Sequence, residues 1–369
     1  MGNMMDYLDW RGDLTLEREP FGEVDNLLMT YLAYVRMDGI APTFGEPKKS
    51  LREISKVFFE THSVEKLKKE KSLTRLAWKV MPKLVESARF GSIWIQNYVN
   101  YVSQEKEVQF CAMEILLDDG TSFVAYRGTD DTIVGWKEDF ALVMGEVTAQ
   151  VAAVDYLNRV GGESERMLRV GGHSKGGNLA VYASARCKEE VRKLILKVYD
   201  NDGPGFRKEF LESPELLAIT PKIIRIIPEY SIIGLLLLHN VEPLVVKSSQ
   251  KVAMQHDGMT WEVLGNHFVH AKEVNAASIV FDKVLKDWMG EIEEERRAAF
   301  IDDFFSVLQA PGVETLTELQ DGGMRNLKAI LSRADELQPE SKKIIRQLLK
   351  GLLSSSGELL TAPLLARRE

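Results

Sequence analysis

The sequence predicts an α/β protein built on a mainly parallel central sheet. Between residues 108 and 290, short β-branched runs alternate with helical patterns, as strand–helix–strand units do. One run, Lys193–Tyr199, is rich in Leu, Ile and Val and reads as a parallel strand buried on both faces. Midway lies Gly172-His173-Ser174-Lys175-Gly176, between a strand pattern at Met167–Val170 and a helical pattern at Asn178–Arg186. A G-x-S-x-G pentapeptide at such a junction is a sharp strand-to-helix turn that lifts a serine hydroxyl clear of the sheet.

In chain order, the stretch Leu27–Val35 predicts a helix started near Asp25 or Asn26, and Ala41–Pro47 a loop. Helices are expected at Leu51–Glu60, Val64–Lys69, Leu73–Ala88 with a break near Pro82, and Ser92–Val102. The pattern turns strand-like at Val108–Leu117. Asp118-Asp119-Gly120 then signals a hairpin into Thr121–Tyr126, followed by Arg127-Gly128-Thr129. A helix over Val147–Val160, closed by Gly161-Gly162, precedes the elbow. Further strands are expected at Ile223–Ile227 and Leu244–Lys247, and charged helical segments from about Lys272 to Leu308 and at Gly323–Glu336 and Ser341–Leu353. The expected organisation is a helical region over 1–106, an α/β core over 107–290 and a helical extension over 291–369.

Hydrophobic residues make up 45 % and charged residues 28 % of 369, an ordinary globular balance. A net charge of −8 argues against a nucleic-acid partner, which calls for a basic footprint. Cys111 and Cys187 imply no disulfide framework and read as small apolar filler. The N-terminal stretch has neither basic start nor apolar core, so a cytoplasmic location is expected. The most apolar run, Ile232–Leu238, is too short to span a bilayer and reads as core, acyl pocket or lid.

Arg127-Gly128-Thr129 with Trp136 and Asp139, the Gly172–Gly177 elbow and Arg225-Ile226-Ile227 together resemble the class 3 (fungal-type) lipase branch of the α/β-hydrolases, over roughly residues 110–270. Tyr7–Asp13, Asp202-Gly203-Pro204-Gly205-Phe206, Ser231-Ile232-Ile233-Gly234 and Gln255-His256-Asp257 bring the chain closer to a bacterial Mbeg-like family of α/β-hydrolases. The resemblance implies an ester hydrolase working on an acyl or lipid substrate through an acyl-enzyme, with no cofactor. It names no substrate.

Ser174 is the expected nucleophile, and it needs a base to take its proton. In α/β-hydrolases that base is a histidine late in the chain. His256, in a loop after a strand and matching the family motif, is the leading candidate, ahead of His239. His267 and His270, three apart, have a spacing that two ligands on one helix face would have. No carboxylate or cysteine pattern accompanies them, so they read as surface or packing residues and no metal is expected. His173 reads as packing behind the turn. For the orienting acid, Ser231 stands where class 3 lipases resembling this chain carry Asp, so Asp202 and Glu229 are equal candidates. A Ser–His dyad with Ser231 or a water against the ring is the third reading. The backbone N–H of Lys175 and, by resemblance, Thr129 would form the oxyanion hole, with Gly128 allowing close approach. The Lys175 side chain would favour anionic substrates or simply reach solvent. Arg127 is expected to pair with a carboxylate such as Asp139.

Overall fold

A computed structural model describes residues 1–69, 76–103, 108–129, 145–291, 294–313 and 322–337, with single positions at 133, 137, 142, 318, 319, 341, 342 and 345. Eight strands form one sheet in simple sequence order: β1 (Lys49–Ser50), β2 (Trp94–Ser103), β3 (Val108–Leu116), β4 (Ser122–Tyr126), β5 (Leu168–His173), β6 (Ile195–Asn201), β7 (Ile223–Pro228) and β8 (Leu244–Val246). Pairs from β1 to β4 are antiparallel, and pairs from β4 to β8 are parallel. A separate two-stranded hairpin pairs β9 (Val263–Leu264) with β10 (His267–Phe268).

This order decides where the helices go. Parallel neighbours joined in sequence by right-handed crossovers must carry all their crossover helices on one face. Thr148–Glu163, Lys175–Arg186 and Pro214–Ile219 accordingly share one apolar core with Val124, Tyr126, Val170 and Val198. Alternate side chains of the same strands, Phe123, Ala125 and Tyr199, point the other way. That second face is covered by the N-terminal helices Met4–Arg11, Glu23–Leu32, Leu51–Thr61 and Val80–Glu86. A third apolar cluster joins Ile233, Leu236 and Leu237 to Phe300, Phe304, Phe305 and Ile330, on the later helices Glu294–Gln309 and Gly323–Asp335. Cys111 and Cys187 are both buried and unpaired. No described helix is long and apolar enough to cross a membrane.

Three local expectations are corrected or refined. Ser92–Val102 is not a helix: Trp94–Ser103 is strand β2, paired with β3 and therefore part of the same sheet. Ile93 and Ile95 are buried while Trp94 is exposed, an alternation of period two in a stretch rich in aromatic and β-branched residues. The break expected near Pro82 falls just before it, where a 3₁₀ turn at Ala77–Lys79 gives way to the helix Val80–Glu86, so Pro82 opens a helix and does not interrupt one. It sits in the first turn of Val80–Glu86, where a missing N–H costs nothing. The Gly161-Gly162 pair does not end its helix, which runs on to Glu163. Gly161 is there for space, because a Cβ would lie 2.4 Å from the Val191 side chain. The expected helix Ser341–Leu353 falls mostly outside the described residues.

The N-terminal cover is pinned by a buried ion pair. Arg89 donates from Nε and Nη2 to the two oxygens of Asp25, at 2.8 and 2.5 Å, and the Tyr7 hydroxyl donates to the same carboxylate at 2.8 Å. Nη1 of Arg89 reaches the Leu14 and Glu19 carbonyls, so the guanidinium also anchors the loop between the first two helices. Burial is the largest influence on the Tyr7 phenol and raises its pKa far above the usual range, with Asp25 adding to it. Removing one member of such a pair leaves the other charge buried alone, so Arg89→Ala is expected to cost about 3–5 kcal/mol. Urea unfolding checks this; a loss below about 1 kcal/mol, the scale of an exposed pair, would mean that the pair is not an anchor.

Candidate active site

The elbow forms as its sequence requires. Strand β5 ends at His173, and the helix Lys175–Arg186 starts one residue after Ser174. Ser174 has φ 58° and ψ −133°, a conformation that an L residue holds only where its surroundings enforce it. Its N–H donates to the Asn201 carbonyl on β6 at 2.9 Å, and its own carbonyl accepts from Gly177 N–H at 2.8 Å. The end of β4 presses against the turn. A Cβ on Gly176 would lie 2.3 Å from the Tyr126 carbonyl, and one on Gly128 would lie 2.3 Å from the His173 carbonyl and 3.1 Å from Ser174 Cβ. Side chains at either position would force these strand ends apart.

Around this serine the structure gathers His256, Asp202 and Ser231. His256 Nδ1 lies 2.6 Å from Asp202 Oδ2, and the Ser231 hydroxyl donates to Asp202 Oδ1 at 2.5 Å. Asp202, at the end of β6, is fully buried, in a left-handed conformation (φ 53°) with its N–H on the Ile226 carbonyl. A carboxylate only accepts, so Nδ1 of His256 carries the proton and Nε2 keeps a lone pair for a nucleophile. The His256 ring lies 4.6 Å, centroid to centroid, from the ring of His173, the residue before Ser174. Of the two candidate acids, Asp202 is therefore the one that meets the imidazole. Glu229 pairs its backbone with Val246 and Asn275 and lines a separate surface pocket with Tyr230, Lys251 and Gln255. Ser231 acts on Asp202 and not on the ring. His239 packs against Gly205 with its Nε2 buried and unbonded, and burial holds its pKa well below the usual imidazole range.

The expected oxyanion donors sit beside the elbow. Lys175 N–H lies in the first turn of its helix, where intrahelical acceptors are lacking. Thr129, next to Gly128, is 7 % exposed. The Lys175 side chain corrects an expectation: at 3 % exposure the residue is buried and does not reach solvent. Arg127 donates to Asn100 on β2 at 3.0 Å, while Trp136 and Asp139 lie outside the described residues.

Sequence reasoning missed the shell that holds these groups. His173 packs behind the turn as expected, but it also binds. Its Nε2 lies 2.6 Å from the His256 carbonyl, which fixes the proton on Nε2. Its Nδ1 then accepts from the Tyr34 hydroxyl at 3.0 Å. Burial, first, and the neighbouring His256, second, hold the His173 pKa well below the usual range, so it works as a neutral ring. The Tyr31 hydroxyl donates to Asp257 at 2.8 Å, and burial raises its pKa. Asn26 and Asn201 exchange amide bonds of 2.8 and 3.1 Å, and Asn201 also donates to the Gly172 carbonyl. All these partners come from one buried N-terminal stretch. The signal was there: Asn26, Thr30 and Tyr34 recur every four residues in an otherwise apolar run, and buried polar groups need partners.

Asp200, two residues before Asp202, is also buried, and its Oδ1 accepts from Gly203 N–H at 2.9 Å. Burial pushes its pKa up to about 7, against the attraction of Arg225, its neighbour in register on β7. The folded state therefore holds a proton here that the unfolded chain releases near pH 4. Stability falls as pH rises from about 4 to 7 and does not recover above that, on the order of 1.4 kcal/mol per pH unit. Asp200→Asn keeps the acceptor and removes the titration. Urea unfolding at several pH values should then show a flatter slope in the variant between pH 4.5 and 7; equal slopes would assign the proton elsewhere.

Comparison with known proteins is consistent with this geometry. No curated protein matches the chain. A family model matches residues 84–306, well over half the chain, and takes in β2 to β8, the elbow, Asp202, Ser231 and His256; the stretch Tyr7–Asp13 lies outside that span. The chain belongs to the Mbeg1-like family.

Proposed function

We propose that this protein is a serine hydrolase of the α/β-hydrolase fold, related to the class 3 lipases, that cleaves a carboxylic ester, with a lipid or other acyl ester as substrate. The observation that carries this reading is the Asp202–His256 pair at 2.6 Å, set beside a serine in an enforced backbone conformation. Ser174 Oγ attacks the acyl carbonyl while His256 Nε2 takes its proton, and Asp202 steadies the resulting imidazolium. Negative charge on the carbonyl oxygen is met by the N–H groups of Lys175 and Thr129. The tetrahedral adduct collapses, His256 gives its proton to the leaving alkoxide, and water repeats the sequence on the acyl-serine. The chemistry calls for no cofactor, and the cell compartment we favour is the cytoplasm.

The alternative of a non-catalytic acyl- or protein-binding module drew its force from Ser231 at the position where an acid is usual. Asp202 on the imidazole weakens it. A peptidase or acyltransferase would use the same groups, since fold does not fix the acyl donor or acceptor.

Purified protein is expected to react with a fluorophosphonate probe and to hydrolyse p-nitrophenyl esters somewhere between acetate and palmitate. Ser174→Ala and His256→Ala should abolish both, and Asp202→Asn should lower turnover about 10⁴-fold. Glu229→Gln should leave turnover unchanged. Labelling that survives Ser174→Ala would remove the proposed nucleophile, and loss of activity in Glu229→Gln with activity kept in Asp202→Asn would reverse the choice of acid.

A further inference from the structure

His267 and His270 do not lie on a helix. His267 is in β10, and His270 follows three residues after it, bridged to Val246. What the sequence pattern lacked, the fold supplies from far away: Glu23, at the start of the helix Glu23–Leu32, faces both rings. The Glu23 carboxylate and one nitrogen of each histidine all lie within 4.8 Å of one another, and His270 Nε2 is 3.6 Å from Glu23 Oε1.

The surroundings orient these groups as ligands are usually oriented. The backbone of one residue serves two of them. The N–H of Phe268 donates to Glu23 Oε1 at 2.6 Å, and the Phe268 carbonyl lies 2.8 Å from His267 Nδ1. A carbonyl only accepts, so Nδ1 of His267 carries the proton and Nε2 presents its lone pair. Metal-binding histidines are held this way, by a second bond on the other ring nitrogen. A carboxylate oxygen of Glu23 and a ring nitrogen of His270 complete a set of one carboxylate and two imidazoles. That donor set suits zinc, with a water in the fourth position. Tetrahedral zinc wants its ligand atoms about 3.4 Å apart, so the set must close by about an ångström. Both histidines are exposed.

We infer that Glu23, His267 and His270 form a binding site for a divalent transition metal of the zinc type. The ion would fasten the β9–β10 hairpin to the N-terminal helix that underlies the elbow. The fastening reaches towards His256: Phe268 packs edge-on against Trp261 at 5.6 Å, and Trp261 Nε1 donates to the carbonyl of Gln255. The site is independent of the proposed ester chemistry, so its test needs no activity.

The full chain, stripped with EDTA, is titrated with zinc sulfate by calorimetry at pH 7.5, and thermal unfolding is followed alongside. One equivalent is expected to bind with micromolar or tighter affinity, and the melting temperature should rise by roughly 5 °C at a hundredfold excess over Kd. His267→Ala and His270→Ala should each lower affinity at least tenfold and cancel the thermal shift, while metal-free melting stays at the wild-type value. No saturable binding below 100 µM, or binding and thermal shift unchanged in both variants, would overturn the assignment.

Discussion

The structure turns on one enforced backbone conformation, that of Ser174. A non-glycine residue at φ 58° and ψ −133° costs on the order of 1–3 kcal/mol, so its neighbours must hold it there. They do so from two strand ends and one helix at once. Strand β6 accepts its N–H through Asn201, the elbow helix closes on its carbonyl through Gly177, and the end of β4 packs against it through Gly128. The contacts from β6 and β4 need β4, β5 and β6 to be parallel neighbours in register, as they are. The serine's geometry is thus a consequence of the sheet, and the sheet's register is specified in part by the elbow.

The same sheet explains why a long N-terminal region precedes the core. Strands in sequence order put their crossover helices on one face and leave the other bare. An uncovered face bearing Phe123, Ala125 and Tyr199 would expose apolar area worth about 25 cal/mol per Å² when buried. The N-terminal helices bury it, and in doing so bring Asn26, Tyr31 and Tyr34 beneath the elbow. A cover required by topology has become the support of the site. Asn26 locks Asn201, Tyr34 donates to His173, and His173 in turn holds the backbone of His256. The Arg89–Asp25 fork keeps that cover in place, at the first turn of the helix that carries Asn26.

How much of this was legible follows from the range of each interaction. The parallel strands and the elbow are local patterns, and they stand within a few residues of where the sequence puts them. Strand β2 was misread because a run such as Trp94–Val102 fits a helix or a strand until its partner β3 is known. The acid remained open between Asp202 and Glu229 for a similar reason. Both follow adjacent strands, and only the position of the His256 loop selects β6. The serine at position 231 looked like a loss, but it donates to Asp202, so the carboxylate on the imidazole comes from one strand end and its supporting hydroxyl from the next. The metal-ligand geometry was out of reach, because Glu23 and His267 are far apart in sequence.

Asp200 and Asp202 show how environment divides labour between two carboxylates in one loop. Asp202 receives two side-chain donors, Ser231 and His256, and each compensates part of its burial. Asp200 has the Gly203 N–H and faces Arg225, whose pKa burial pushes down, and its own pKa rises to about 7. One carboxylate is thereby tied to an imidazole and a hydroxyl, and the other is pushed by burial towards its neutral form behind it. Their neighbours extend this division into the rest of the chain. Gly234 lies against Asp202 and Ser231, and its adjoining residues Ile233, Leu236 and Leu237 pack on Phe300, Phe304 and Phe305. The C-terminal helices therefore bear on the segment that shields Asp202 from water, and in such a low-dielectric setting its hydrogen bond to His256 is electrostatically stronger than it would be in water.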